Sequence, residues 1–82
     1  MSSFLATTPS QLGPILRGYR IQRGLTQQAL AARLGLSQKD VSLAEAKPER
    51  MSVARLFRFF AVLEVELTLK DRGSSNPAGA EW

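Results

Sequence analysis

The sequence predicts a mainly α-helical domain of four to five short helices, followed by one C-terminal β-strand that pairs across a homodimer. Three observations carry that expectation. Apolar residues recur at helical spacing through residues 12–63. The stretch "EVELTLK" that follows alternates with period two instead, the pattern of a half-buried strand. Between the two patterns, "VARLFRFFAVL" is apolar nearly all round, which calls for burial on more than one side. A length of 82 residues with a 44% hydrophobic share suits one small domain.

Residues 1–9 read as a flexible arm, 10–71 as the folded domain and 72–82 as a disordered tail. Ser10 offers an N-cap for "QLGPILRGYRIQR", in which Leu12, Ile15, Leu16 and Tyr19 face a core and Gly24 ends the helix. Thr26 caps "QQALAARL", an Ala/Leu-rich helix closed by Gly35. Ser37 caps "QKDVSLAEA". These two short helices meet across a turn with glycine in it, the helix-turn-helix layout. Pro48 makes "KPER" a loop. Ser52 caps the fourth helix, where Val53, Leu56, Phe57, Phe60 and Leu63 form one apolar face. Phe59 and Val62 form a second face, assigned to a dimer interface. In the strand, Val65, Leu67 and Leu69 oppose Glu66, Thr68 and Lys70. A lone strand leaves its backbone groups unpaired, and the simplest partner is the same strand of a second copy, antiparallel across a two-fold axis. Val65, Leu67 and Leu69 therefore join Phe59 and Val62 as dimerisation residues.

Composition narrows the chemistry. The chain has no Cys and no His, which removes disulfides, Cys/His zinc sites, thiol nucleophiles and histidine bases. None of the carboxylates sits in a metal or glycosidase motif, so no catalytic residue, metal or cofactor is expected and the chain is not expected to be an enzyme. Residues 1–63 hold nine Lys/Arg against three Asp/Glu, and residues 64–82 hold two against four. A basic body points to a polyanion. No apolar run reaches the roughly 18 residues of a membrane span, and "MSSFLATTPS" lacks a secretory pattern. The expected setting is the cytoplasm, at the nucleoid, with no membrane partner.

DNA reading by a helix pair of this kind has physical demands. The second helix lies in the major groove with polar side chains near its N-terminus, and the first aims its N-terminus at a phosphate. Thr26 and Gln27 open the first helix; Ser37, Gln38 and Lys39 open the second, with Ser42 one turn on. Gln pairs with adenine and Lys donates to guanine. Arg33 and Lys47 flank the motif as candidate phosphate contacts. Arg17 and Arg23 read equally as phosphate contacts or solvated charge, and Arg55 and Arg58 as solvated charge.

The run "R-x-x-R-G-L-T-Q-Q-A-L-A-A-R-L-G-L-S-Q-K-D-V-S-L-A-E" resembles the XRE/Cro-type helix-turn-helix family over roughly residues 12–63. The resemblance implies that Gln27 binds phosphate and orients the base readers, that Gln38, Lys39 and Ser42 face the groove, and that Arg20 and Glu45 tie the first helix to the recognition helix. Two positions depart from the family pattern. Ala44 stands where a larger residue is usual, so Phe57 or Phe60 is expected to fill the space. Leu43 stands at a position that often faces DNA with a polar side chain; it meets a thymine methyl or turns away.

"TPSQL", "LTQQALAARLGLSQ", "LEVELTLKD" and the final "EW" narrow the resemblance to the HipB-type antitoxins, nearly end to end. That likeness implies a homodimer that represses its own toxin–antitoxin operon at a palindromic operator in double-stranded DNA. It also implies a HipA-like toxin partner resembling a serine/threonine kinase. The recognition helices of such a dimer lie about 34 Å apart, one turn of B-DNA. Trp82, carried on a small-residue tail, is the expected toxin anchor, since Trp is a common hot-spot residue. A stand-alone XRE/Cro-type repressor without a toxin partner shares every DNA-binding residue and stays open on sequence.

Overall fold

A computed structural model describes residues 3–72. Its helices are α1 (Leu12–Gln22), α2 (Gln27–Leu34), α3 (Gln38–Ala46) and α4 (Val53–Leu63), with 3-10 turns at Pro9–Gln11 and Pro48–Arg50. The mainly helical fold with a helix-turn-helix at α2–α3 matches the sequence expectation.

Local chemistry sets the helix starts. The hydroxyls of Thr26, Ser37 and Ser52 accept hydrogen bonds from the backbone N–H groups of Ala29, Asp40 and Arg55 at 3.0, 3.1 and 3.0 Å. Each satisfies one donor that a helix N-terminus leaves orphaned. Ser10 does not cap α1. The chain enters instead through the 3-10 turn, where the Gln11 side-chain oxygen accepts from the Thr8 backbone N–H at 3.0 Å. Ahead of that turn, the Phe4 ring meets Tyr19 edge-on at 5.3 Å, so the arm touches α1.

Helix ends follow one pattern. Gly24 and Gly35 both take φ +72, and the N–H groups that follow them, of Leu25 and Leu36, return to Arg20 and Ala31 carbonyls at 3.0 and 2.9 Å. Glycine meets this left-handed turn without a Cβ clash. At the end of α4 the same turn is made by Glu64 at φ 60, with the Val65 N–H bonded to the Phe60 carbonyl at 2.8 Å.

The core is built from Leu16 of α1, Leu30, Ala31 and Leu34 of α2, Val41 and Ala44 of α3, and Phe59, Phe60 and Leu63 of α4. α2 packs on α3 and α4, and α1 packs on α3 and α4. Gly13 sets how closely α1 approaches the end of α3: a Cβ there would lie 2.2 Å from the Glu45 carbonyl oxygen.

Two expectations need correction. Phe59 is fully buried within the protomer, so it is a core residue and not a dimerisation surface. The phase of α4 differs from the one expected: its buried stripe runs through Leu56, Phe59, Phe60 and Leu63, leaving Val53 and Phe57 exposed. Val62 and Val65 are half-buried and pack against the protomer's own core. The strand was expected to pair with a second copy of the chain. Residues 65–72 form no regular element among the described residues, while Leu67 and Leu69 stand exposed, Leu69 by 89%. A strand exists only through pairing, and no described residue of the protomer forms a ladder with this segment. No helix among the described residues is long and apolar enough to cross a membrane. Of the tail assigned to 72–82, residues 73–82, with the Trp82 anchor, lie outside the described residues.

Candidate nucleic-acid interface

A chain of side-chain hydrogen bonds links the helix-turn-helix to α1. Arg20, buried in the last turns of α1, donates from Nε to Glu45 Oε2 at 2.6 Å and from Nη2 to Glu45 Oε1 at 3.2 Å. Its Nη1 donates to the Leu25 carbonyl at 2.9 Å. The two ion-pair side chains are 10% and 6% exposed, so a bidentate, desolvated pair ties α1 to α3. Glu45 Oε1 also accepts from Gln27 Nε2 at 3.1 Å. Gln27 Oε1 in turn accepts from Gln38 Nε2 at 2.6 Å. The order Arg20–Glu45–Gln27–Gln38 therefore runs from the protein interior to the first residue of α3. Gln27 and Gln38 are brought together as a unit, and the Arg20–Glu45 tie that the family resemblance implied is present.

The remaining candidates take separate places. Thr26 and Ser37 spend an oxygen lone pair on capping α2 and α3. Lys39 is exposed beside Gln38, and Ser42 is half-buried one turn on. Lys47 is exposed at the C-cap of α3, and Arg33 is exposed in the last turn of α2. Leu43 does not turn away from solvent: it is 45% exposed. Ala44 is buried, but Phe57 does not fill the space beside it. Phe57 is exposed, ring-to-edge with Phe60 at 5.8 Å. A shallow groove remains instead, lined by Leu43, Ala44, Lys47, Arg50, Met51 and Arg55 with Asp40 at one end.

Other roles were missed at the sequence level. Asp40 closes a reciprocal cap. Its Oδ2 accepts from the Ser37 backbone N–H at 3.1 Å while its own N–H donates to the Ser37 hydroxyl. The Ser-x-x-acid spacing carries that signal. These Ser37 hydrogen bonds, backbone first, hold the Asp40 carboxyl below its ordinary value of 3.8. A carboxyl lowered by folding contributes stability above its unfolded pKa and loses it as pH falls through the folded value. Acidification below about pH 4 should therefore loosen the start of α3, and Asp40→Asn should remove that component of an acid titration followed by amide chemical shifts.

Arg23 and Arg58 are exposed, yet each is also tied to a backbone carbonyl. Arg23 Nε donates to the Leu63 carbonyl at 2.8 Å, and Arg58 donates to the Leu34 carbonyl. Each thus places a cation on the orphan carbonyls of a helix C-terminus, where the helix dipole favours it. The other exposed cations among the described residues are Arg17, Arg33, Lys39, Lys47, Arg50 and Arg55, together with Lys70 and Arg72 in the C-terminal segment.

Residues 16–70 match the helix-turn-helix family. Antitoxin HipB of Escherichia coli O6:H1 is 34% identical over 74 residues, covering 90% of this chain and 79% of the relative. The chain belongs to the HipB antitoxin family. Solved HipB structures share its fold. A HipB–O1–O2 complex superposes with a TM-score of 0.76 at 30% identity, covering 84% of this chain and all of that one. A HipA–HipB–O2–O3 complex gives the same TM-score and identity, covering 85% and 99%. Within the matched residues, the Arg20–Glu45–Gln27–Gln38 chain joins the start of α3 to α2 and α1.

Proposed function

We propose that this chain is a sequence-specific DNA-binding antitoxin. As a homodimer it represses its own toxin–antitoxin operon through a palindromic operator, and it binds a HipA-like serine/threonine kinase toxin. The observation that carries the reading is the Arg20–Glu45–Gln27–Gln38 chain at the head of an exposed α3, in a sequence akin to HipB. Gln38, Lys39 and Ser42 face base edges. Gln27 and the α2 N-terminus, with Thr26, take a phosphate. Arg33, Ser37 and Lys47 hold the flanking backbone. The second copy pairs with residues 65–70 as an antiparallel strand, so that Leu67 and Leu69, with Val62 and Val65 at the margin, are covered. HipA stands with HipB in a solved complex with DNA, and a kinase-like partner here would take Trp82 as its anchor.

Fluorescence anisotropy with a duplex from the chain's own upstream region tests the DNA part. Gln38→Ala should weaken binding by about 1–3 kcal/mol and relax selectivity at one base pair per half-site. A titration indifferent to sequence, or to this variant, would contradict it. Co-purification of the neighbouring kinase-like product with the full chain, and its loss when Trp82 is deleted, tests the toxin part.

A further inference from the structure

The outward side of α3 is polar, cationic or small except at one position. Gln38, Lys39, Ala46 and Lys47 are exposed and Ser42 half-exposed, while Val41 and Ala44 turn into the core. Leu43 breaks that pattern, an isobutyl group 45% exposed one turn after Lys39 and one turn before Lys47. In the free protomer this exposure gains nothing, since apolar surface in water is unfavourable by roughly 25 cal/mol per Å². The side chain is flanked by Lys47, Arg50 and Arg55, which border the same groove. These three cations outweigh the single carboxylate of Asp40 on the same groove, which attracts a polyanion to the surface on which Leu43 stands. A base edge in the major groove offers one apolar feature, the C5-methyl of thymine.

We infer that Leu43 is a specificity-determining residue that reads a thymine methyl in each operator half-site. The inference rests on the DNA-binding reading above and adds a base identity to it. Gln38 and Leu43 lie on α3 five residues apart, so two positions of the half-site are read by different chemistry, one by an amide and one by a methyl contact.

The test replaces each thymine of the footprinted upstream duplex by deoxyuridine, which deletes one methyl and keeps every hydrogen bond. The native chain should lose roughly threefold to fivefold in affinity at one uridine per half-site, the worth of one buried methyl-sized group. Leu43→Ala, which removes the contact from both half-sites of the dimer, should bind the thymine duplex roughly tenfold to twenty-fivefold more weakly and show no further loss with uridine. Equal sensitivity of both proteins to the same uridine would overturn the inference, as would native binding indifferent to every uridine. Unchanged DNA binding by Leu43→Ala with weakened capture of the kinase-like partner would assign the residue to a protein contact and overturn it too. If the native chain binds neither duplex, the DNA-binding reading itself fails and the inference with it, an outcome distinct from selective loss of the uridine effect. Far-ultraviolet circular dichroism of Leu43→Ala confirms that helix content is kept.

Discussion

Glu45→Ala should lower the free energy of unfolding by about 3–5 kcal/mol, the usual cost of leaving one member of a buried ion pair without its partner. Against a typical total of roughly 5–15 kcal/mol, that is enough to leave a small domain partly unfolded at ambient temperature. Arg20 would keep its bond to the Leu25 carbonyl and lose both bonds to Glu45, while Gln27 would lose the acceptor of its amide. Urea unfolding followed by circular dichroism measures the loss. A double variant separates scaffold from readout. Arg20→Met with Glu45→Leu removes both charges together and should restore much of the stability, as apolar replacement of buried pairs often does. It should not restore operator affinity, because Gln27 stays unanchored and Gln38 with it. A double variant that folds and binds like the native chain would show that the hydrogen-bond chain has no part in recognition.

The second large effect is expected at Gly13. An added Cβ would meet the Glu45 carbonyl oxygen at 2.2 Å, its carbon at 3.1 Å and the Pro48 Cδ at 3.3 Å. Backbone cannot swing aside as a side chain can, so α1 would have to withdraw from the end of α3. Gly13→Ala should destabilise by about 3 kcal/mol, the upper range for overpacking a fitted contact. Gly18, on the same helix, has nothing within 4 Å of its Cβ position. Gly18→Ala should therefore stabilise by roughly 0.5–1 kcal/mol through helix propensity and lost unfolded-state freedom. Opposite shifts in thermal midpoint for two Gly→Ala changes five residues apart would identify packing, not propensity, as the role of Gly13. A shift of the same sign in both would refute it.

What was legible in the sequence is what local chemistry decides. Thr26, Ser37 and Ser52 each cap the helix that follows, and Gly24 and Gly35 each end the one before, because those preferences act within a few residues. Gln27 and Gln38 were visible as polar residues at helix starts. The phase of α4 was not legible. With Phe57, Phe59, Phe60 and Val62 all apolar, periodicity carries no phase, and only packing against α1 and α2 chooses the stripe that is buried. The stop at Glu64 carries no glycine to announce it. Arg23 and Arg58 reach carbonyls 40 and 24 residues away, a relation no local pattern records. Gly13 reads as an ordinary helix glycine until α3 is placed beside it. The alternation at 65–70 has no regular element to match it among the described residues, and on the proposed reading a partner strand supplies one.

The bond between Gln38 and Gln27 bears on how such proteins change their targets. On the proposed reading Gln38 arrives at DNA with its amide already fixed, so little rotamer freedom is lost on contact and the residue acts as a rigid template. Rigidity also binds it to its history. A substitution at Gln38 removes the donor from the Gln27 side-chain carbonyl as well as the proposed base contact, and a change at Gln27 takes one of three hydrogen bonds from the Glu45 carboxylate. Lys39, Ser42 and Leu43 carry no such obligations to the fold. A lineage whose operator drifts would therefore answer at those three positions first, and the glutamine at the head of α3 would be the last letter of the recognition surface to be rewritten.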